Sequence, residues 1–229
     1  MAKRVIRAYC TVSREAACAL AGTPPWELEA EVLAEVYHRT AAARRSGNPP
    51  ARQEIEHWRK EARDAIIDKW SDQLQDPGAG HRTVLALQPV LRAWIERHRG
   101  FLPYRMVQVL TGHGCFGKYL HNIGRESTAG CHHCGSDTDT AQHTLEECPA
   151  WAGQRVALTA AIGLDLSLPT VVKTIVDNDT GFDAFKTFCE SVMLEKEMAE
   201  RAREEDPLAD PIRRRRTGRR RRAFARNLI

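Results

Sequence analysis

Three cysteines and one histidine stand close together in Cys131–Cys148, which reads CHHCGSDTDTAQHTLEEC. Two residues separate Cys131 from Cys134, eight separate Cys134 from His143, and four separate His143 from Cys148. A Cys-x-x-Cys turn can bring two thiolates to one metal ion. A His and a Cys five positions apart can meet that ion from the start of a following helix. Three sulfurs and one nitrogen form a closed tetrahedral set suited to zinc. No position is left for water, so the centre is expected to be structural and not catalytic. Gly135, Ser136, Asp137, Thr138, Asp139 and Thr140 are small and polar, bury almost nothing by themselves, and leave a loop that needs a staple. His132 and His133 are spare imidazoles in the turn; either could replace His143, but with cramped spacing.

The elements that must hold this loop read as helices. Ser13 can cap a short helix to Ala21, which Gly22 ends. Pro24 and Pro25 open a second helix, with Leu28, Val32, Leu33 and Val36 giving an apolar stripe through about Arg45. Ser46–Pro50 is a break. Ile55, Trp58, Ala62, Ile66, Trp70 and Leu74 then fall at spacings of three and four, predicting an amphipathic helix from about Ala51 to Gln75. Trp58 and Trp70 lie on that apolar stripe, which argues for packing over base stacking. Thr83–Leu87 fits a short strand or a helical turn. Val90–Arg97 looks helical, and Pro103 starts a helix through Leu110. Cys115, Phe116, Tyr119 and Leu120 continue as a helix to Gly124.

Beyond the metal loop, helices are expected at Trp151–Ile162, entered from Pro149, and at Leu168–Val176. Asn178–Gly181 reads as a turn. Phe182, Phe185, Phe188, Cys189, Val192 and Met193 mark the inward face of a last helix, which turns polar after Leu194 and runs as a charged rod to about Glu205. Thr111-Gly112-His113-Gly114 is unusual: two glycines flank a histidine, implying special backbone geometry or a close approach. His113 is therefore a functional candidate, set against the plainer reading of a ring bonded to neighbouring backbone. A lone Gly-x-Gly without strand and Lys context does not make a phosphate loop.

The 229 residues carry a net charge of +4, unevenly spread. Residues 212–229 hold nine arginines and no acid, leaving 25 basic against 30 acidic residues and a net charge of −5 on residues 1–211. The arginines of Arg213–Arg222 repel one another and predict a disordered tail that can meet phosphates and serve as a nuclear address. No run of about 18 apolar residues is present, and MAKRVIRAYC lacks the apolar core of a secretory signal. Seven cysteines is an odd number; Cys10, Cys18, Cys115 and Cys189 sit among apolar neighbours and read as buried thiols in a reducing compartment.

The segment LTGHGCFGKYLHNIG, residues 110–124, followed by C-x2-C-x8-H-x4-C and Pro149, resembles the C-terminal region of non-LTR retrotransposon reverse transcriptases, in the clade with an apurinic-type endonuclease. RVIRAYCTVSREAACALAGTPPWEL, residues 4–28, is similar to the segment that follows the polymerase in those proteins. The resemblance implies that a polymerase lies upstream, and that Met1 is not the start of the working polyprotein. The chain itself has no Asp-Asp dipeptide for a two-metal polymerase site, no acidic cluster for an endonuclease or RNase H, and no Gly-x-Ser-x-Gly or His-Glu-x-x-His motif. It is expected to be catalytically inert.

The expected fold is all-α. A helical segment following the polymerase spans 1–125, a CCHC zinc knuckle 126–150, C-terminal helices 151–205, and a disordered Arg-rich tail 206–229. Cys131, Cys134, His143 and Cys148 would hold zinc. Lys118, His132, His133, Arg213, Arg214, Arg215, Arg216, Arg219, Arg220, Arg221 and Arg222 are the candidate nucleic-acid contacts. The partners would be single-stranded or structured RNA or DNA and the parent polymerase domain, with no membrane and no small-molecule substrate. The resemblance implies a role in positioning template RNA or target DNA during target-primed reverse transcription, in the nucleus, with a cytoplasmic ribonucleoprotein phase. The competing reading is a zinc-stapled helical module for protein interaction or structure. The residues near the knuckle are not strongly basic, which weighs towards that alternative.

Overall fold

Ser13 opens the first sizeable helix: its Oγ accepts the Ala16 N–H at 3.1 Å, and the helix closes at Gly22 in the left-handed conformation. That is α2, Arg14–Ala21, preceded by one short turn, α1, Ala2–Val5. The computed structural model describes residues 1–97, 101–210 and 212–213. It continues with α3 (Trp26–Arg45), α4 (Arg52–Gln73), α5 (His81–Leu87), a 3-10 turn (Gln88–Val90) and α6 (Leu91–Glu96). Then come α7 (Tyr104–Thr111), α8 (Gly117–Asn122), the loop that carries the cysteines, α9 (Ala152–Ile162), α10 (Leu168–Asp177) and α11 (Asp179–Glu205). No strand occurs among the described residues, so the all-α expectation holds and residues 83–87 resolve as helix.

Other local expectations shift. Leu33 is exposed, because α3 buries only Leu28, Val32 and Val36 on its inner face. Asn178–Gly181 is not a free turn: the Asn178 side chain accepts the Gly181 N–H at 2.6 Å and caps α11. Cys18 and Cys189 are buried and Cys115 half-buried, but Cys10 is exposed in the turn before α2. The charged end of α11 is helical to Glu205, yet it is not a free rod, since Lys196 and Glu200 are buried.

One cluster of buried apolar side chains runs from Ile6 to Met193 and takes in Cys131, Leu145, Cys148 and Trp151 from the metal loop. α11 is its axis, packing on α7, α9 and α10 through Phe185, Cys189, Val192 and Met193. α5 lies against α2 and α10, and Trp94 of α6 donates its indole N–H to Leu20 O at 3.2 Å. No helix among the described residues is long and apolar enough to cross a membrane.

Candidate metal centre

The loop after α8 is wound by its own backbone. Cys131 N–H donates to Ser136 O at 2.7 Å and Gly135 N–H to Cys131 O at 2.9 Å, a tight turn that puts Cys131 and Cys134 on one side. Thr140 Oγ1 accepts the His143 N–H at 2.9 Å and starts the next turn. That turn, His143–Glu147, is a π-helix, and Cys148 N–H reaches back to His143 O at 2.8 Å. In an α-helix, positions five apart lie about 140° round the axis. The wider turn brings them towards one face, and such turns occur often at functional sites. Arg155 of α9 secures it by donating to Leu145 O at 2.9 Å and Cys148 O at 2.7 Å.

The ligand atoms of Cys131, Cys134, His143 and Cys148 all lie within 4.8 Å of one another, and together they could hold a metal ion. Cys131 Sγ is 3.9 Å from Cys148 Sγ, and Cys134 Sγ is 3.3 Å from His143 Nε2. Zinc bonds of about 2.3 Å to sulfur and about 2.0 Å to nitrogen give tetrahedral edges of about 3.8 and 3.5 Å. The Cys131–Cys148 and Cys134–His143 separations lie close to those edges, within a set whose widest spacing does not exceed 4.8 Å. His143 Nδ1 lies 3.3 Å from Glu147 Oε2, the carboxylate partner that commonly orients a metal-binding imidazole. Burial weighs against an anionic Cys134, but the Ser136 backbone and the neighbouring Cys131 and His143 outweigh it and hold the thiol down at about 7. Burial pushes Cys148 up to about 12 and also raises Cys131. A divalent cation would lower all three.

The three histidines of the loop have different surroundings. His132 Nε2 is 3.2 Å from Glu126 Oε2, and the His133 ring lies 4.7 Å from Trp151, so His143 alone completes the convergent set. Arg213 is also engaged: it is buried, its Nε donates to Glu126 Oε1 at 2.9 Å, and it lies 3.5 Å from Glu200. Arg203 donates to the same Glu200 at 2.8 Å. Arg214, Arg215, Arg216, Arg219, Arg220, Arg221 and Arg222 lie outside the described residues.

Sequence reasoning missed the residues that seat the loop. Asp139 is buried; its carboxylate accepts from Gly117 N–H at 3.0 Å, from Thr144 Oγ1 at 3.2 Å, and from Lys196 Nζ at 3.0 and 2.8 Å. Gly117 starts α8 against the loop backbone: a Cβ there would meet Gly130 O at 2.3 Å and Ala129 O at 2.6 Å. A signal existed for Lys196. The inward spacing Phe185, Cys189, Val192 continues in steps of four to Lys196 and Glu200.

Lys118 is exposed on α8 and lines a cleft of about 450 Å³ with Arg82, His113, Tyr119, Thr140 and Gln142. No acid lines it. Arg82 donates to Val109 O and Leu110 O at 2.9 Å and has no carboxylate partner among the described residues; burial lowers it to about 10, which leaves it charged at neutral pH. His113 sits between two positive-φ glycines, Gly112 and Gly114, with Nδ1 2.8 Å from Thr111 O and its ring 4.9 Å from Tyr119. Burial lowers its pKa. The ring is thus bonded to neighbouring backbone, the plainer of its two readings, yet it still borders the cleft.

No protein-family model and no solved structure matches the chain. A retrovirus-related Pol polyprotein from the type-1 retrotransposable element R1 of Nasonia vitripennis is 30% identical over 189 residues, 80% of this chain and 48% of the relative. A second such Pol polyprotein of that species is 30% identical over 152 residues, 63% of this chain and 36% of the relative. The R1 Pol polyprotein of Bradysia coprophila is 28% identical over 153 residues, 63% of this chain and 15% of the relative. The chain therefore spans about half the length of the first of these and less of the others. By this kinship it is a homologue of part of the Pol polyproteins of R1-type non-LTR retrotransposons.

Proposed function

We propose that this chain is a non-catalytic, nucleic-acid-binding C-terminal part of a retrotransposon Pol polyprotein, folded around one structural zinc. The observation that carries the reading is the convergence of Cys131, Cys134, His143 and Cys148 in a protein related to R1 Pol polyproteins. Zinc fits the soft, three-sulfur donor set better than the hard divalent cations, which prefer oxygen. It would be held by those four side chains, stabilise the loop between α8 and α9, and fix the cleft of Lys118, Arg82 and His113. An acid-free cleft on a body of net charge −5 is a place where a phosphate is accepted and not repelled. The chain would position template RNA or target DNA beside the parent polymerase, in the nucleus, with the arginine tail adding phosphate contacts.

A purely structural or protein-interaction module is the second reading. What favours it is that all three candidate contacts have partners within the chain: His132 lies against Glu126, His133 against Trp151, and Arg213 is buried on Glu126. Titration of the zinc-loaded chain and of Lys118→Ala against single-stranded RNA, single-stranded DNA and duplex separates the two. Binding that weakens about tenfold in Lys118→Ala supports the first reading. Absence of binding to all three by the wild-type chain supports the second.

A further inference from the structure

The α3–α4 hairpin stands off from the rest of the protein for half its length. α3 buries Leu28, Val32 and Val36, and α4 buries Ala62, Ile66, Ile67 and Trp70, all near the body. No residue from 37 to 61 is buried. Two helices that rest only on each other gain little from tertiary packing, so the distal half adds nothing to the core.

Its charge is segregated along its length. The part nearest the body, residues 26–37 and 61–73, has eight acids against two bases. The distal part, residues 38–60, has six Lys and Arg against two Glu, in a chain whose first 211 residues are net negative. Within the distal part, Arg39 is taken by Glu35 and Glu61, and Arg52 by Glu56. Arg44, Arg45, Arg59 and Lys60 remain, all exposed and without a carboxylate partner among the described residues. Helix electrostatics account for only half of these. Arg44 and Arg45 sit in the last turn of α3, where the dipole favours cations; Arg59 and Lys60 lie two turns into α4, where it gives no such reason. At a rise of about 1.5 Å per residue, all four fall within about 15 Å of the tip along the helix axes.

We propose that the tip of this hairpin is a second nucleic-acid surface, one that takes the phosphate backbone of a duplex. It rests on the preceding reading only in that the ligand is nucleic acid; none of its residues belongs to the metal loop or the cleft. Single-strand binders combine a basic track with aromatic platforms for the bases. The tip has the cations but no row of exposed rings: Trp58 is half-buried, and the exposed Tyr37 behind it is a single ring set edge-on against its neighbour His38. Arginines and lysines alone hold phosphates without reading bases, and a duplex offers the densest row, with one charge per about 1.7 Å of axis.

The test uses the full zinc-loaded chain and a variant with Arg44→Gln, Arg45→Gln, Arg59→Gln and Lys60→Gln together. Glutamine keeps the helix propensity and removes the charge, and circular dichroism with zinc content verifies the fold. Both proteins are titrated with a random-sequence duplex and with single-stranded RNA and DNA over a salt series. The variant should lose about tenfold or more in duplex affinity at low salt. The slope of log K against log salt should become shallower by about two to four, at roughly 0.9 per lost phosphate contact. Single-strand affinity should change by less than about threefold. Unchanged duplex affinity and slope in a folded variant overturns the proposal while leaving the cleft reading intact, and so does an equal loss on single strands. Absence of any nucleic-acid binding by the wild-type chain overturns both. If the fourfold variant loses helicity, the wild-type chain still decides: duplex should protect Lys60 from acetylation, and an equally reactive Lys60 in the complex overturns the proposal.

Discussion

Lys196 and Asp139, 57 residues apart, form an ion pair sealed from water, with Nζ 3.0 and 2.8 Å from the two carboxylate oxygens. Their side chains are 1% and 4% exposed. The same carboxylate receives the first N–H of α8 and the Thr144 hydroxyl, so one buried acid fastens α8, the metal loop and α11 together. The loop of the candidate metal centre is therefore fastened by this pair independently of any metal.

Breaking the pair from one side should be costly. Asp139→Ala leaves an uncompensated buried ammonium, a loss of about 3–5 kcal/mol. Lys196→Met together with Asp139→Leu should recover part of it, because a well-packed apolar pair removes the desolvation penalty. Urea denaturation of the zinc-loaded proteins checks this; equal stabilities for wild type and Asp139→Ala would refute it.

Metal should be bound one ion per chain. Structural zinc sites of this kind are worth about 10–16 kcal/mol near neutral pH, enough to decide whether residues 131–148 are ordered. Metal analysis of protein purified without chelator should give near-stoichiometric zinc, and Cys134→Ser should lose most of it. Full zinc in Cys134→Ser would remove Cys134 from the ligand set.

Glu147→Gln addresses the carboxylate behind the imidazole. The Glu147–His143 contact should tune metal affinity, and its loss should weaken zinc binding about 10- to 100-fold with little change in helix content. Competition with a chromogenic chelator measures it, and an unchanged affinity would show that Glu147 merely lies nearby.

Gly117 cannot accept a side chain without moving backbone. Gly117→Ala should destabilise by about 1–3 kcal/mol, since its Cβ would overlap two carbonyl oxygens of the metal loop and not a flexible side chain. Thermal unfolding with and without zinc checks this. A substitution that left the transition of the zinc-loaded protein in place would mean the loop yields freely.

The arginine tail should supply most of the affinity for nucleic acid and little of the selectivity, since arginines that meet phosphates read no base edges. The informative cut falls after Arg213. Cutting before it would strip Glu126 of its buried partner and confound binding with stability. Removing residues 214–229 should weaken binding to every probe and flatten the salt dependence, while any preference for one strand type persists. Loss of selectivity with affinity retained would reverse this division of labour.

Much of this architecture follows from local sequence. The stripe Ile55 to Leu74 marked the inner face of α4, Ser13 and Gly22 bounded α2, and the convergence of the four candidate ligands was readable because they lie within one short loop, where spacing constrains geometry. Periodicity says which face of a helix is apolar but not what covers it. Hence Leu33, counted in the apolar stripe of α3, is exposed, and the charged rod expected after Leu194 turns Lys196 and Glu200 inward. Spacing already favoured His143 over His132 and His133, but only the tertiary structure shows His132 beside Glu126 and His133 beside Trp151, positions set by packing. It alone paired Arg213 with Glu126 across 87 residues and Lys196 with Asp139 across 57: the helical spacing marks Lys196 as inward, but nothing in either segment names its partner. A buried charge is stable only beside its counter-charge, and that counter-charge is brought near by packing of distant helices, not by neighbours along the chain.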